Sequence, residues 1–325
     1  MKSKQKIINL LKNKKELQSG EIADETGFSR QYIHRVLKEL VEENIVVKVG
    51  KPPSTYYKYK DVEQTQVSIH IPKEQQLFLQ QHFLWISEKG EKLEGKEAME
   101  VWCRRQKLPF EKTVDEYIST RKKYLHFYNN EIYIDGTQKL INTSGFKKIG
   151  IDKMMYLDFY AIERFGKTRL GTLMHYAKQG QNKKLMAQIV EETKNTIHQI
   201  IKEIKPDAVL FVPPTIKREV QIMHYLKKHL DINKVEIDVQ KINSEIVIPQ
   251  KALSKINERI ANAQMSFLVR ERIQYKKILL IDDAVGSGAT MNEIANKIKD
   301  KGIAKHVVGL AITGSYKGFE VISEL

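Results

Sequence analysis

One segment constrains the fold more than any other: Ile278-Leu279-Leu280-Ile281-Asp282-Asp283-Ala284-Val285-Gly286-Ser287-Gly288-Ala289-Thr290-Met291. Its first four residues are apolar without interruption and read as a strand buried on both faces. Two carboxylates close that strand, a loop of small residues follows, and a helix starts at once. Strands buried on both faces belong to parallel sheets covered by helices on each side. In such sheets ligands gather beyond the carboxyl ends of the strands. The backbone N–H groups of the loop and the N-terminus of the helix together form an anion cradle. Gly286 and Gly288 let the backbone approach a bound group, while Ser287 and Thr290 add hydroxyl donors. Asp282 and Asp283 stand just ahead of the cradle and need a partner of opposite character. Ribose hydroxyls meet that need, with or without a bridging Mg²⁺, so the segment suits a ribose 5-phosphate.

Two rival phosphate motifs fit less well. A P-loop requires Gly-Lys-Ser/Thr, and no lysine lies in this loop. A dinucleotide fingerprint requires G-x-G-x-x-G, and Met291 occupies the place of the third glycine. The plain alternative is an acidic strand end followed by a glycine turn. Around the segment, helix and strand patterns alternate from about residue 151. Residues 183–204 read as an amphipathic helix ended by Pro206, and Ala208–Val212 as an apolar strand. Residues 216–229 read as a helix, while Val235–Val239 and Met265–Val269 read as strands. Residues 290–299 then give a helix and His306–Ile312 a final strand. This is the pattern of an α/β parallel sheet.

The Ile278–Met291 segment closely resembles the signature of type I phosphoribosyltransferases, which bind 5-phosphoribosyl-1-pyrophosphate (PRPP). The resemblance implies that Asp282 and Asp283 contact the ribose hydroxyls. It implies that Ala284, Val285, Gly286, Ser287, Gly288, Ala289 and Thr290 hold the 5-phosphate, and that Mg²⁺ arrives with PRPP. The family usually carries a hydroxyl residue where Gly286 stands, so one donor is missing here. Asp207–Arg218 resembles the family's first strand and pyrophosphate loop, which implies ligand-binding roles for Pro214, Thr215, Lys217 and Arg218. Pro249–Ser254 with Glu258, Arg259 and Asn262 is similar to the ComF branch, as is Lys167–Gly180 with Leu170, Tyr176, Ala177 and Lys178. Arg259 is the candidate for a catalytic residue reaching the active-site face, the alternative being an ion pair on a helix surface. The resemblance spans roughly residues 155–320.

Residues 1–60 read as a winged helix. Ile7, Ile8, Leu10 and Leu11 share one face of a first helix, and Ser19 is the expected N-cap of a short second one. Gly27 suits the turn. Ser29 caps a third helix whose stripe is Ile33, Val36, Leu37, Leu40 and Val41. Ile45–Val49 and Tyr56–Tyr59 form the hairpin. This stretch holds 13 Lys plus Arg against 7 Asp plus Glu. The third helix offers Ser29, Arg30, Gln31, Tyr32, His34, Arg35 and Lys38 for major-groove reading and phosphate contact, and the hairpin adds Lys51 and Lys58. Double-stranded DNA, or another nucleic acid, is the expected partner; winged helices that bind proteins are the alternative. Residues 61–150 read as a mainly helical linker or capping module, with helices near 73–87, 95–106 and 112–124. Trp85, Trp102, Tyr124 and Phe127 look like core material there.

The expected organisation is therefore three parts: a winged helix (1–60), the middle module (61–150) and a phosphoribosyltransferase-like domain (151–325). The formal net charge of +15 over 325 residues agrees with polyanionic partners. A single cysteine, Cys103, excludes an intrachain disulfide, and it reads as core rather than nucleophile. The absence of any apolar run near ~18 residues leads us to expect no membrane partner and a cytoplasmic protein, and the family resemblances imply a bacterial one. In layout the chain resembles the purine repressors of Gram-positive bacteria, in which such a domain senses PRPP without catalysis. That implies a ligand-responsive transcription regulator that binds PRPP or a nucleotide, and a homodimer is expected because one winged helix reads only a short site. The alternative is an enzyme that transfers phosphoribose or removes a base. A form of it is the toxin effector of a retron-type anti-phage system, partnered by a reverse transcriptase–nucleic acid complex.

Overall fold

The computed structural model describes residues 2–14, 16–43, 45–50, 54–60, 71–214, 216–242 and 255–317. Contacts divide the chain into two units, Met1–Ile69 and His70–Leu325. The first unit runs α1 (Lys2–Asn13), α2 (Ser19–Thr26), α3 (Arg30–Glu42) and the antiparallel pair β1 (Val46–Val49) and β2 (Tyr56–Tyr59). Ile7, Leu11, Ile22, Ile33, Val36, Leu37, Leu40 and Val46 form its core. Val41, expected in the stripe, is exposed. The cap of α2 is also displaced by one residue. Gln18, not Ser19, is the N-cap, and its N–H donates to the Glu21 carboxylate at 2.6 Å. Gly27 takes the left-handed conformation (φ 75°) that ends α2.

The second unit begins with α4 (Lys73–His82), β3 (Leu84–Ile86), β4 (Lys92–Glu94), α5 (Gly95–Gln106) and α6 (Phe110–Leu125). The short strands β5 (Tyr128–Asn129) and β6 (Tyr133–Asp135) lead to α7 (Thr137–Asn142) and β7 (Lys153–Phe159). The small ribbon β8 (Ala161–Ile162) and β9 (Gly166–Lys167) precedes α8 (Arg169–Gln179), α9 (Lys183–Ile204), β10 (Ala208–Phe211), α10 (Ile222–His229) and β11 (Val235–Glu236). The chain continues through β12 (Val239–Lys241), α11 (Ile256–Ser266), β13 (Phe267–Val269), β14 (Tyr275–Val285), α12 (Ala289–Asp300) and β15 (Ala304–Gly314).

The central sheet has the order β11-β10-β14-β15-β7-β6-β5, parallel from β11 to β7 and antiparallel beyond. This is the mixed α/β architecture with a mostly parallel sheet that the apolar strand predicts. Alternate residues of β14 face opposite layers. Leu279 and Ile281 join Leu173, Met174, Ile189, Ile197 and Leu226 of α8–α10 in one core cluster. Ile278 and Leu280 are equally buried and point the other way. Each such side chain contributes about 1.5–3 kcal/mol on burial. The packed run therefore fixes where the two acids after it must emerge. From β10 the chain steps outward to β11, then returns to place β14 on the opposite side of β10. The β10–β14 boundary is thus the topological switch point, where a crevice opens at the carboxyl ends.

Several sequence expectations shift. The middle segment is not a separate helical module: β5 and β6 enter the central sheet, and β3 and β4 form a hairpin. The helix expected over 73–87 ends at His82, because the apolar run Phe83–Ile86 favours extended structure. Residues 216–221 are not helical. There, the Gln221 amide donates to the Ile216 and Arg218 carbonyls, and Gln181 accepts from the Val220 N–H. These side chains satisfy backbone groups that a helix would otherwise pair. Met265 belongs to α11, so the strand starts at Phe267. Cys103 is buried, and burial pushes its thiol pKa up. Among the described residues, no helix is long and apolar enough to cross a membrane.

Candidate ligand pocket and nucleic-acid interface

A cavity of about 510 Å³ opens at the switch point, within the size range of small-molecule sites, about 300–1,000 Å³. Its lining includes Val212, Pro213 and Pro214 after β10, Asp282 and Asp283 at the end of β14, and the whole stretch Ala284–Met291. Of the residues the sequence proposes, Asp282, Asp283, Ala284, Val285, Gly286, Ser287, Gly288, Ala289, Thr290, Pro214, Arg218 and Arg259 all meet there. Lys217 is exposed and lies outside the lining. Thr215, Lys51 and the stretch Pro249–Ser254 lie outside the described residues.

The two acids differ. Asp283 is 5% exposed and ion-paired with Lys178 of α8. Asp282 makes no direct ion pair among the described residues; its Oδ1 accepts from the Asp283 N–H at 2.7 Å. Burial, and then the charge of Asp283, push the Asp282 pKa well above the ordinary carboxylate range. A cation or a hydroxyl-bearing ligand would relieve that cost. Among the described residues, no group of three His, Cys, Asp or Glu side chains is placed to hold a metal. A divalent ion would therefore have to share its ligation between these carboxylates and the oxygens of a bound molecule. Such an ion would offset the charge of the acid pair.

The loop itself is an open cradle. Gly288 is the N-cap of α12 with φ 81°, and a Cβ there would lie 2.5 Å from Leu140 Cδ1. The positive φ favours glycine at 288, and Leu140 would have to shift for any side chain there. Gly286 is different: among the described residues, a Cβ there would meet only Arg259 Nη1, at 4.0 Å. The described residues leave room for a side chain at 286, and the guanidinium of Arg259 stands next to that room. Ser287 Oγ accepts from the Ala289 N–H at 3.4 Å, a local turn that shapes the loop. Among the described residues, four cations stand around the cavity, Lys178, Arg218, Arg259 and Lys317, against the two carboxylates. The arrangement favours an anionic guest that also carries acceptors for Lys/Arg and hydroxyls for Asp.

Sequence reasoning misses Tyr160, Gln179, Gln221, Ser315, Tyr316 and Lys317 in the lining. It places Lys178 in a family-like stretch without assigning it a role. Tyr160 OH shares a 3.0 Å hydrogen bond with His175 Nδ1, and its pKa is raised by burial and then by Asp283. Tyr160 and Tyr316 follow the ends of β7 and β15, positions that a sheet-end rule would have flagged. Lys139 beneath the loop leaves no sequence signal, since it lies in a helix of six residues.

In the first unit α3 presents the expected face. Arg30, Gln31, His34, Arg35 and Lys38 are exposed, while Ile33, Val36, Leu37 and Leu40 are buried. Ser29 caps the helix, its Oγ accepting from the Tyr32 N–H at 3.3 Å. Tyr32 is half-buried against Phe28, and the Arg35 guanidinium lies 5.2 Å from its ring centre, which restrains Arg35. Lys58 is ion-paired with Glu16 at 2.6 Å, so part of its charge is already answered. Residues 2–47 match the family described as winged helix-turn-helix DNA-binding. The match covers α1 to α3 and the start of β1, and the N-terminal unit is a winged helix-turn-helix DNA-binding domain. No curated protein matches the chain.

Proposed function

We propose that the second unit binds PRPP, accompanied by Mg²⁺, at the β10–β14 switch point, and that the chain is a DNA-binding regulator responsive to that ligand. The observation that carries the reading is the composite at the end of β14. A pair of carboxylates opens onto a small-residue loop at the N-terminus of α12, within a cavity ringed by Lys178, Arg218, Arg259 and Lys317. The loop and helix end suit the 5-phosphate, Asp282 and Asp283 suit the ribose hydroxyls, and the cations suit the pyrophosphate. The chain's own part in this is to bind and orient: the strand fixes the acids, and the cradle fixes the phosphate.

Regulation requires PRPP to bind two states of the protein unequally. The test is a pair of titrations. Calorimetry with PRPP and Mg²⁺ should show binding that Asp283→Asn largely removes. Fluorescence anisotropy on a labelled DNA duplex, with and without PRPP, should show affinity shifted by about 5–150-fold, the usual span for coupled sites. No PRPP binding by the wild type overturns the ligand. Binding with unchanged DNA affinity overturns the regulator. Steady pyrophosphate release with any nucleobase, abolished by Asp283→Asn, replaces it with a phosphoribosyl-transferring or base-removing enzyme.

A further inference from the structure

Beneath the phosphate cradle sits a lysine that the pocket lining does not include. Lys139, on α7, is 5% exposed. Its ammonium donates to the Gly286 carbonyl at 3.1 Å and to the Ser315 carbonyl at 2.6 Å. The Ser315 N–H in turn donates to the Val285 carbonyl at 2.9 Å. One side chain therefore ties the residues that follow β14 to those that follow β15. Next to it, Leu140 presses on Gly288, where a Cβ would come within 2.5 Å of Leu140 Cδ1. Helix α7 is the floor of the loop.

From this geometry we propose that Lys139 is a positioning residue for the anion cradle, aiming the loop's N–H groups at the ligand by holding the loop's carbonyls from behind. The inference rests on the ligand reading above. Its physical basis is peptide planarity. In a trans peptide the carbonyl and the following N–H point in opposite directions. With the Gly286 carbonyl turned down to Lys139, the Ser287 N–H is turned away from it, towards the cavity side. The Ser315 carbonyl fixes the Tyr316 N–H in the same manner. Both Ser287 and Tyr316 line the cavity. The ammonium also places a positive charge behind the cradle without touching the guest. The position is not a comfortable one for a cation: burial lowers the Lys139 pKa to about 8. A buried methionine would fill the same space without that desolvation, so stability alone does not explain a lysine here. The middle segment thus carries the brace of a loop far along the chain, at a separation of 147 residues for the Lys139–Gly286 pair.

The test uses the full chain and two readouts. Hydrogen–deuterium exchange, without ligand, follows the peptides covering 284–290 and 315–317. Lys139→Met should speed their exchange by about an order of magnitude through local opening, while the unfolding midpoint does not drop. Titration with PRPP and Mg²⁺ should show Lys139→Met weakened by about tenfold or more, with Lys139→Arg recovering part of the loss by restoring charged donors. Unchanged loop exchange in Lys139→Met overturns the brace, whatever PRPP does. Faster exchange in a protein whose wild type binds no PRPP upholds the brace and overturns the ligand. Unchanged PRPP affinity in Lys139→Met overturns the link between brace and site. Should Lys139→Met not fold, Lys139→Gln takes its place; it is one atom too short to serve both carbonyls, and the same outcomes apply.

Discussion

Replacing Arg121 with methionine should unfold the second unit at a markedly lower temperature. Arg121 on α6 and Asp158 at the end of β7 are each 5% exposed at the side chain. They meet through two hydrogen bonds, Nη1 to Oδ1 at 2.9 Å and Nη2 to Oδ2 at 3.0 Å. Breaking such a buried pair from one side typically costs about 3–5 kcal/mol, because the remaining charge stays in the interior. Asp158 keeps the Phe159 N–H at 2.8 Å and the Tyr128 hydroxyl as donors, so the cost falls towards the lower half of that range. For a unit of this size each kcal/mol moves the midpoint by about 2–4 °C, which gives a fall of roughly 6–16 °C. The assay is thermal unfolding of the full chain, read at the transition of the second unit rather than as one two-state event. The double variant Arg121→Met/Asp158→Asn removes both charges and should recover most of the loss. A fall below about 3 °C for Arg121→Met, or a double variant no better than the single one, would refute the reasoning. Asp158 lies two residues before the cavity residue Tyr160, so the single variant should also weaken ligand binding.

Gly286→Ser should be tolerated, since among the described residues a Cβ there meets only Arg259 Nη1 at 4.0 Å. It returns a hydroxyl to the cradle and should tighten PRPP binding by about fivefold or more, measured by calorimetry. Gly288→Ala, at φ 81° and against Leu140, should instead abolish binding. His82 gives a pH dependence. Its pKa is lowered from 6.5 to about 4, by burial and then by the charge of Arg121. The unfolded chain therefore takes up a proton that the folded one refuses, and stability is lost as pH falls from about 6.5 towards 4. Thermal scans of wild type and His82→Gln should diverge across that window, with the wild type losing more; parallel curves would remove His82 from the account.

What the sequence reveals depends on how local the determining physics is. The segment Ile278–Met291 is legible because burial, charge, turn and helix start follow one another within fourteen consecutive residues, so the strand, the acids and the cradle are read off together. The winged helix is legible for the same reason: the stripe Ile33, Val36, Leu37 and Leu40 leaves Arg30, Gln31, His34 and Arg35 on the outside of one continuous helix. The illegible parts are long-range. Lys178 reaches Asp283 across 105 residues, Arg121 reaches Asp158 across 37, and Lys139 reaches Gly286 across 147. Each of these is a charged residue that periodicity assigns to solvent or leaves unassigned, and only its partner's position makes burial bearable. The two-residue β5 and three-residue β6 escape notice likewise, because strands that short carry no alternation and are held by pairing, β6 with β7 and β5 with β6. Two of the three charged residues, Arg121 and Lys139, lie in residues 71–150, the least readable stretch. The cavity residues of Ile278–Met291 are marked by the chemistry of their own segment, whereas Tyr160, Tyr316 and the buried charges that pair across the fold are marked only by what the fold brings to them.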